Sequence, residues 1–470
     1  MFKVMVLKEI KDTLGSKKFI YAFLVSSLLI ILSFYVGARW YETNQTRYEI
    51  AVAENLRQMS GITDWINVKH HVFLPPNPLA ALVTGIDNDI GRNVEMSGVG
   101  ELKALDSRFS EDPIFAVFYF MDLTFIFTVV LALFAVLFGY NMINGEKEAG
   151  TLRLVFANAL PRDKFILGKM SGALTSVLIP LMIPVLLGCL ILIMMNVPMD
   201  LTTWFRLSLI ILAGMLYFSV FLLLAIFLSA LTKSSMHSFL LGLIIWIFAT
   251  LIIPRASVLL AGRAVDVPSV DELDSQKFRY RSQLWSEDLE KMNAYQVEPS
   301  DNPQDMIDEF HQFMGELSRK RNEKTNQFNQ RLNEERRNKQ NLQETLAFII
   351  ARISPSVNFS LAVMHLAGTS IELKQDYLNA AQAYQQNYAR FLSEKTDGLI
   401  PGSGIIFRTV SVGEQEPEPI NPNEIPVFEY KNRFNGEVFH STLIDFTLLI
   451  LFNIVFFNGA YVAFLRYDLR

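Results

Sequence analysis

Six stretches of this chain run for about 20 residues or more with at most one charged or titratable side chain, and that pattern decides what it can fold into. A helix needs about 20 apolar residues to cross a hydrocarbon core about 30 Å thick. Inside lipid every backbone polar group must be satisfied within its own segment, so such runs become helices. The runs are Phe19–Ala38, Ile114–Tyr140, Ser171–Met195, Leu207–Leu231, Ser234–Ile253 and Phe446–Leu465. Ile114–Tyr140 carries Asp122, Ser234–Ile253 carries His237, and the other four carry no charge. Only 19% of the 470 residues are charged, against about 25% in soluble chains. The deficit sits in these runs, which excludes an all-soluble enzyme, a fibrous protein and a wholly disordered chain. No small-x-small cleavage site follows the first run, so it reads as a retained signal-anchor helix. The lone Cys189 excludes an internal disulfide framework and a multi-cysteine metal site. A net charge of −5 gives no electrostatic footprint for nucleic acid.

Orientation follows from where Lys and Arg fall near the runs. With the N-terminus inside, the inner segments hold 13 basic residues, while the short outer loop near Asn196–Arg206 holds Arg206 alone. Both termini are then cytoplasmic. Two long segments are left outside, 39–113 and 263–440. The first carries a net charge of −4 and 264–440 a net −8, so the outer parts are acidic and the rest of the chain is basic. The fold class this predicts is an all-α polytopic membrane protein with six transmembrane helices. A large, mainly α-helical extracytoplasmic domain with minor β accompanies them. Residues 1–18 form an interfacial helix with Phe2, Met5, Val6, Ile10 and Leu14 at helical spacing.

The outer part divides further. Pro303–Arg352 and Ile371–Ser393 read as a long antiparallel helical hairpin, separated by Ser354-Pro355-Ser356 and a short apolar piece, Val357–Ala367. Tyr377, Ala381, Tyr384, Tyr388 and Phe391 form a seam at steps of 4, 3, 4 and 3 that packs on a partner helix. Gly404–Val412 reads as a strand, Glu414–Pro426 as a proline-rich extended loop, and Pro426–Tyr430 as another short strand. Pro75-Pro76-Asn77-Pro78 marks a rigid loop in the first outer segment.

The inner segment 141–170 is the most informative. It reads Asn144-Gly-Glu-Lys-Glu-Ala-Gly-Thr-Leu, and Pro161 closes the apolar stripe Ala149, Leu152, Val155, Phe156, Ala159 and Leu160. Asn144 suits a helix cap, and Glu146 and Glu148 suit the positive end of the dipole. One short amphipathic helix against the membrane face is predicted, followed by Gly168-x-x-x-Gly172, which permits a close helix approach. The two glycines before Thr151 lack the Lys-Ser/Thr of a phosphate loop, so the chain carries no nucleotide site of that kind.

Glu146-x-x-x-Gly150-Thr151-Leu152, then Pro161 and Gly168-Lys169 entering a span, resembles the signature of type-2 ATP-binding-cassette (ABC) exporter permeases. The six spans, the interfacial helix and the inner termini fit the same family over residues 1–262 and 441–470. The resemblance implies a non-catalytic permease of a bacterial inner membrane, dimerised with a second copy or a related permease. It implies a separate cytoplasmic ABC ATPase dimer that holds ATP and Mg, with no cofactor bound by this chain. By carry-over, Glu146, Gly150, Thr151, Leu152, Val155, Phe156 and Pro161 form the ATPase-coupling surface. Ser354-Pro355-Ser356 with Ala367-Gly368-Thr369 is similar to a bacterial subgroup with a large outer domain, often labelled as multicopper-enzyme-maturation permeases. Related permeases carry a re-entrant element after span five, which places one at 254–262, behind Pro254.

Ionisable residues at membrane depth are functional candidates. Asp122 lies nine residues into the second run, Arg255 and Arg263 follow Pro254, and Asp445 stands at the mouth of the sixth run. An Asp–Arg pair among them is one arrangement. The aromatic content of spans two (Phe115, Phe118, Tyr119, Phe125, Phe127) and six (Phe452, Phe456, Phe457) suits a hydrophobic or amphipathic substrate and equally suits lipid contact. His70-His71 is adjacent, which is wrong for two ligands on one helix face, and Asp87-Asn-Asp89-Ile-Gly91 starts like a calcium loop but lacks the remaining ligands. Two functions follow from the pattern: a permease driven by a partner ATPase, or a lever that moves an extracytoplasmic protein or lipoprotein. A membrane-embedded enzyme is the third class, and the absence of paired catalytic side chains in the runs speaks against it.

Overall fold

The computed structural model describes residues 2–65, 68–87, 90–96, 102, 104–105, 122–157, 161–295, 303–396, 419–430 and 436–466. The expected strand at 404–412, the first part of the proline-rich loop, residues 114–121 of span two and the pair Ala159 and Leu160 lie outside them. Among the described residues, six helices are long and apolar enough to cross a membrane: Lys17–Met59, Leu123–Glu148, Arg162–Met194, Leu201–Leu231, Ser235–Ala264 and Phe439–Leu465. Span four lies at the centre, packed by its neighbours along most of its length.

Two spans differ from expectation. Span one does not stop at Ala38 but continues as one helix to Met59. Residues 39–59 are rich in helix formers, and Arg39–Glu42 and Glu54–Arg57 pair at i, i+3 along it. Span five does not end at Pro254, and no separate re-entrant element follows. The segment Phe248–Ile252 is π-helical, and the helix resumes as Ile253–Ala264. A π turn changes the ladder where the proline ring would otherwise meet the carbonyl four residues back. Arg255 and Arg263 therefore sit on a continuous helix, both exposed.

The helix Pro355–Ala367 is buried at every residue and lies between spans four and six. Its apolar composition is read correctly from the sequence, and the flanking triplets have a physical job. Ser354 Oγ accepts from Ser356 N–H and donates to Ala249 C=O in the π segment of span five. Gly368 takes a left-handed φ of 69° as the C-cap, and Asn77 Nδ2 donates to Ala367 C=O at 2.6 Å. A second π segment, Ile126–Leu131, lies in span two. There Tyr217 OH donates to Thr128 C=O (3.1 Å) and accepts from Ser356 Oγ (2.9 Å).

The long helix Pro303–Ala351, 49 residues and about 75 Å, does form an antiparallel hairpin, but with a different partner. Its partner is Val270–Ala294, a helix the hydrophobic pattern did not reveal. Tyr295 stacks on Phe313 (3.9 Å), Asp288 pairs with Arg321 (2.9 Å), and Tyr280 stacks on Phe328 (4.1 Å). Arg336 then donates to Pro268 C=O. Each step back along one helix matches a step forward along the other.

The tyrosine seam, on helix Glu372–Lys395, packs instead on a small antiparallel sheet. The sheet runs β1 (His70–Phe73), β2 (Asn93–Met96) and β3 (Ala104–Leu105) in that order, with Val72 opposite Val94 and Val94 opposite Ala104. Tyr377 OH donates to Val72 C=O at 2.9 Å, and Tyr384 OH donates to Pro426 C=O at 2.7 Å. Pro426–Tyr430 is extended and joins no strand of the sheet.

His70, only 8% exposed, is held neutral by its partners. Asn55 Oδ1 accepts from His71 N–H, so its amide nitrogen must face His70 Nδ1 (3.3 Å). Tyr384 has spent its proton on Pro426, so it accepts from His70 Nε2 (2.9 Å). A second proton on His70 would face a donor, and burial, with the neighbouring His71, already pushes the imidazole down to about 4 from 6.5. The unfolded chain takes up that proton first, so stability is lost as pH falls from about 6.5 toward 4. By pH 5 the loss is about 2 kcal/mol. Thermal unfolding of the full chain at pH 7.5 and pH 5 should show a smaller acid-induced drop for His70→Gln than for the parent.

Candidate functional site

The inner-loop motif is built around one buried amine. Lys169, 5% exposed, enters span three one residue after Gly168. Its three protons meet three acceptors: Glu146 Oε1 at 2.8 Å, Glu9 Oε2 at 3.2 Å and Met142 C=O at 3.0 Å. Lys8 lies 4.0 Å from the same Glu146 oxygen. The donor count of an ammonium is thus fully used.

The N-terminal helix (Phe2–Leu14) reaches this site because two glycines leave room for it. A Cβ at Gly168 would come within 2.9 Å of Met5 Cβ, and one at Gly172 within 2.6 Å of Glu9 Cβ. The close approach expected of Gly168-x-x-x-Gly172 is therefore made, and the guest is the N-terminal helix. Met5, Val6 and Ile10 are half-buried there, while Phe2 and Leu14 remain exposed.

The residues after Met142 tie down two more spans. Ser229 Oγ accepts from the backbone N–H of Ile143 and of Asn144, both at 3.1 Å. Asn144 is fully buried and caps nothing; its side-chain amide donates to Thr232 Oγ1 at 2.7 Å. Lys147 Nζ reaches the carbonyls of Ser229, Ala230 and Thr232, at the negative end of span four. Glu148 accepts from Ser235 N–H (2.7 Å) and Ser235 Oγ (2.9 Å), at the positive end of span five. Adjacent charges of opposite sign thus meet opposite helix ends.

The single amphipathic helix expected here is instead two, Asn144–Glu148 and Thr151–Ala157. Gly150 breaks them with a φ of 70°, a left-handed conformation that costs glycine nothing. Of the expected stripe, Leu152, Val155 and Phe156 face inward and Ala149 does not. Leu152 is 3% exposed, Val155 is half-buried, and the Phe156 ring lies 5.4 Å from Phe165 and 6.1 Å from Phe464. Glu146 points inward as well, to Lys169. Glu148, Ala149, Gly150, Thr151, Ala157 and Pro161 are exposed. The motif therefore combines two kinds of residue: Glu146, Leu152, Val155 and Phe156 seat the loop, and Gly150, Thr151 and Pro161 present it.

A family model described as ABC-2 family transporter protein matches residues 4–469. The chain belongs to the ABC-2 transporter family. It is a permease component, the membrane part of such a transporter. No curated protein matches the chain.

In this ABC-2 permease the four membrane-depth candidates do not form one cluster, although Asp122 and Arg255 line a common cavity. Asp122 does not lie inside a helix: it caps one, accepting from Phe125 N–H (3.0 Å), and its other oxygen accepts from Thr84 N–H (2.9 Å). Asp445 is 0% exposed and pairs with Arg352 (2.8 Å), at the base of the long helix, not with Arg255 or Arg263. Its second oxygen lies 3.7 Å from His365 Nδ1. Sequence reasoning counted Lys169 as an inner basic residue and as part of the family signature, gave it no partner, and overlooked Glu9. A lysine flanked by glycines at i−1 and i+3, opposite an amphipathic helix that carries Glu9 and Asp12, is the signal that was available.

Removing one member of a buried ion pair costs about 3–5 kcal/mol, because the other charges stay buried. Lys169→Met should lower the thermal midpoint in detergent markedly, and the triple change with Glu9→Gln and Glu146→Gln should recover most of it.

Proposed function

We propose that this chain is the moving membrane scaffold of an ATP-driven transporter, gripped at the Ala149–Thr151 tip by a separate ABC ATPase dimer. ATP and Mg belong to that partner. Both termini and the loop face the cytoplasm of a bacterial cell, and residues 39–113 and 263–440 lie toward the other side of the inner membrane, with Pro355–Ala367 set back between spans four and six. A second permease copy or a related permease completes the membrane part.

The observation that carries this is the division of the loop into an exposed tip and an anchored base. A force on Gly150 or Thr151 acts through Glu146 on Lys169, and so on span three and the N-terminal helix together. Through Lys147 and Glu148 it acts on spans four and five. Nucleotide closes the ATPases, and the permease state that fits the closed pair gains population. The substrate is hydrophobic or amphipathic. An apolar cavity of about 240 Å³ between spans four, five and six, lined by Phe221, Phe248, Phe452 and Phe456, supports that class.

One observation favours a mechanical variant of the same reading. The Arg352–Asp445 pair joins the base of the long helix to span six, so span motion is passed to a rod about 75 Å long. The hairpin would then act on an extracytoplasmic protein or lipoprotein.

A photo-cross-linking residue at Thr151 in native membranes should capture an ATP-binding protein, and one at buried Leu152 should not. Thr151→Arg should cut co-purified ATPase activity about ten-fold with an unchanged thermal midpoint. Capture at Leu152 but not at Thr151, or nucleotide turnover by the purified chain alone, would overturn the assignment.

A further inference from the structure

A cavity of about 140 Å³ lies where the π segment of span two meets the π segment of span five, floored by the buried helix Pro355–Ala367. π segments are rare and concentrate at functional sites. Both of those among the described residues contribute to this one cavity, Thr128 from the first and Thr250 from the second. Ser356 and Ser360 add hydroxyls from the floor. Phe125, Leu251 and Val357 supply apolar wall. Its size is comparable to the cavity of about 150 Å³ that takes up benzene.

The cavity also carries one charge of each sign, Asp122 and Arg255. They do not satisfy each other. Asp122 accepts from two backbone N–H groups, one on each oxygen, and neither is a cation. Arg255 is exposed on the continuous part of span five. Among the described residues neither has an ion-pair partner within 4.0 Å. Unpaired charges are costly next to apolar walls, and a ligand with both signs relieves both at once.

We propose that this cavity binds a small zwitterionic head group, its ammonium on Asp122 and its phosphate on Arg255, with hydroxyls of Thr128, Thr250, Ser356 and Ser360 lining the space between. The ligand is the head of a zwitterionic lipid or a soluble molecule of the same chemistry. As a station on a transport path this rests on the permease reading; as a binding site it does not.

The test uses the full chain in detergent, titrated by native mass spectrometry with short-chain phosphatidylethanolamine, the matching phosphatidylglycerol, and O-phosphoethanolamine. The parent should bind the ethanolamine lipid about ten-fold more tightly than the glycerol lipid. Asp122→Asn keeps the cap on Phe125 N–H through its amide oxygen but gives up the acceptor for Thr84 N–H, so its thermal midpoint is compared with the parent's before its binding is read. It should erase that preference and leave glycerol-lipid binding unchanged. Arg255→Gln, on an exposed position, should weaken both lipids. Displacement by O-phosphoethanolamine would make the head alone sufficient; a retained preference without displacement would assign the site to lipid. Equal binding of the two lipids by the parent, a preference that survives Asp122→Asn, or undiminished binding by Arg255→Gln would overturn the proposal. No ATPase is present in this assay. A failed cross-link at Thr151 leaves the cavity result standing, and equal lipid binding leaves the coupling site standing.

Discussion

Backbone polar groups in an apolar setting must find partners inside the protein, and the bundle is organised by the places where helices alone do not supply them. Regular spans satisfy themselves. The exceptions are helix ends and π segments, and there a side chain has been recruited. Ser229 serves the start of the inner loop, Lys147 the end of span four, and Glu148 the start of span five. At the other end, Ser354 serves Ala249 and Tyr217 serves Thr128. The polar residues of the spans are thus mostly structural, and they fix which helices meet.

The two ends of the bundle are built to different rules. At the Lys169 end, one cation holds carboxylates from two other segments, so the loop, the N-terminal helix and span three form one body. At the Asp445 end, span six meets Arg352 and, less closely, His365, whose other nitrogen lies 3.6 Å from Glu372. Four segments converge there: span six, the long helix, the buried helix and the tyrosine helix. A displacement of span six is therefore felt at the base of the rod and at the support of the sheet.

How much of this the sequence discloses depends on whether an element carries its own signal or borrows one. The charge-free runs announce the spans because lipid imposes length and composition on each of them separately. Val357–Ala367 shows only as a short apolar piece; that it is a capped helix buried among the spans does not show, because the helices that cover it lie elsewhere in the chain. Val270–Ala294 did not show: its partners Phe313, Arg321 and Phe328 lie on another helix, and its own face has few apolar residues. The tyrosine seam gave the right face and the wrong neighbour, since steps of 3 and 4 say which side is buried and not whether a helix or a sheet covers it. In the inner loop the motif marks the segment that is anchored on Lys169. Its division into anchor and tip was hidden, because a stripe has the same spacing whether it faces a bundle or a partner.

That division bears on how motion crosses the site. A buried pair whose disruption costs about 3–5 kcal/mol biases a two-state element by roughly two to three orders of magnitude. Glu146 and Glu9 therefore stay on Lys169 through any displacement that costs less than this, and the loop pushes span three instead of sliding past it. The tip has no such ties: Gly150 has no atom within 4 Å of where a Cβ would stand, and the Thr151 hydroxyl makes one 3.3 Å contact to Glu146 C=O. A surface that is inexpensive to reshape, mounted on a base that is expensive to break, accommodates a docking partner locally and transmits its movement globally. An inverted design, with a rigid tip on a loose base, would dissipate the same push within the loop.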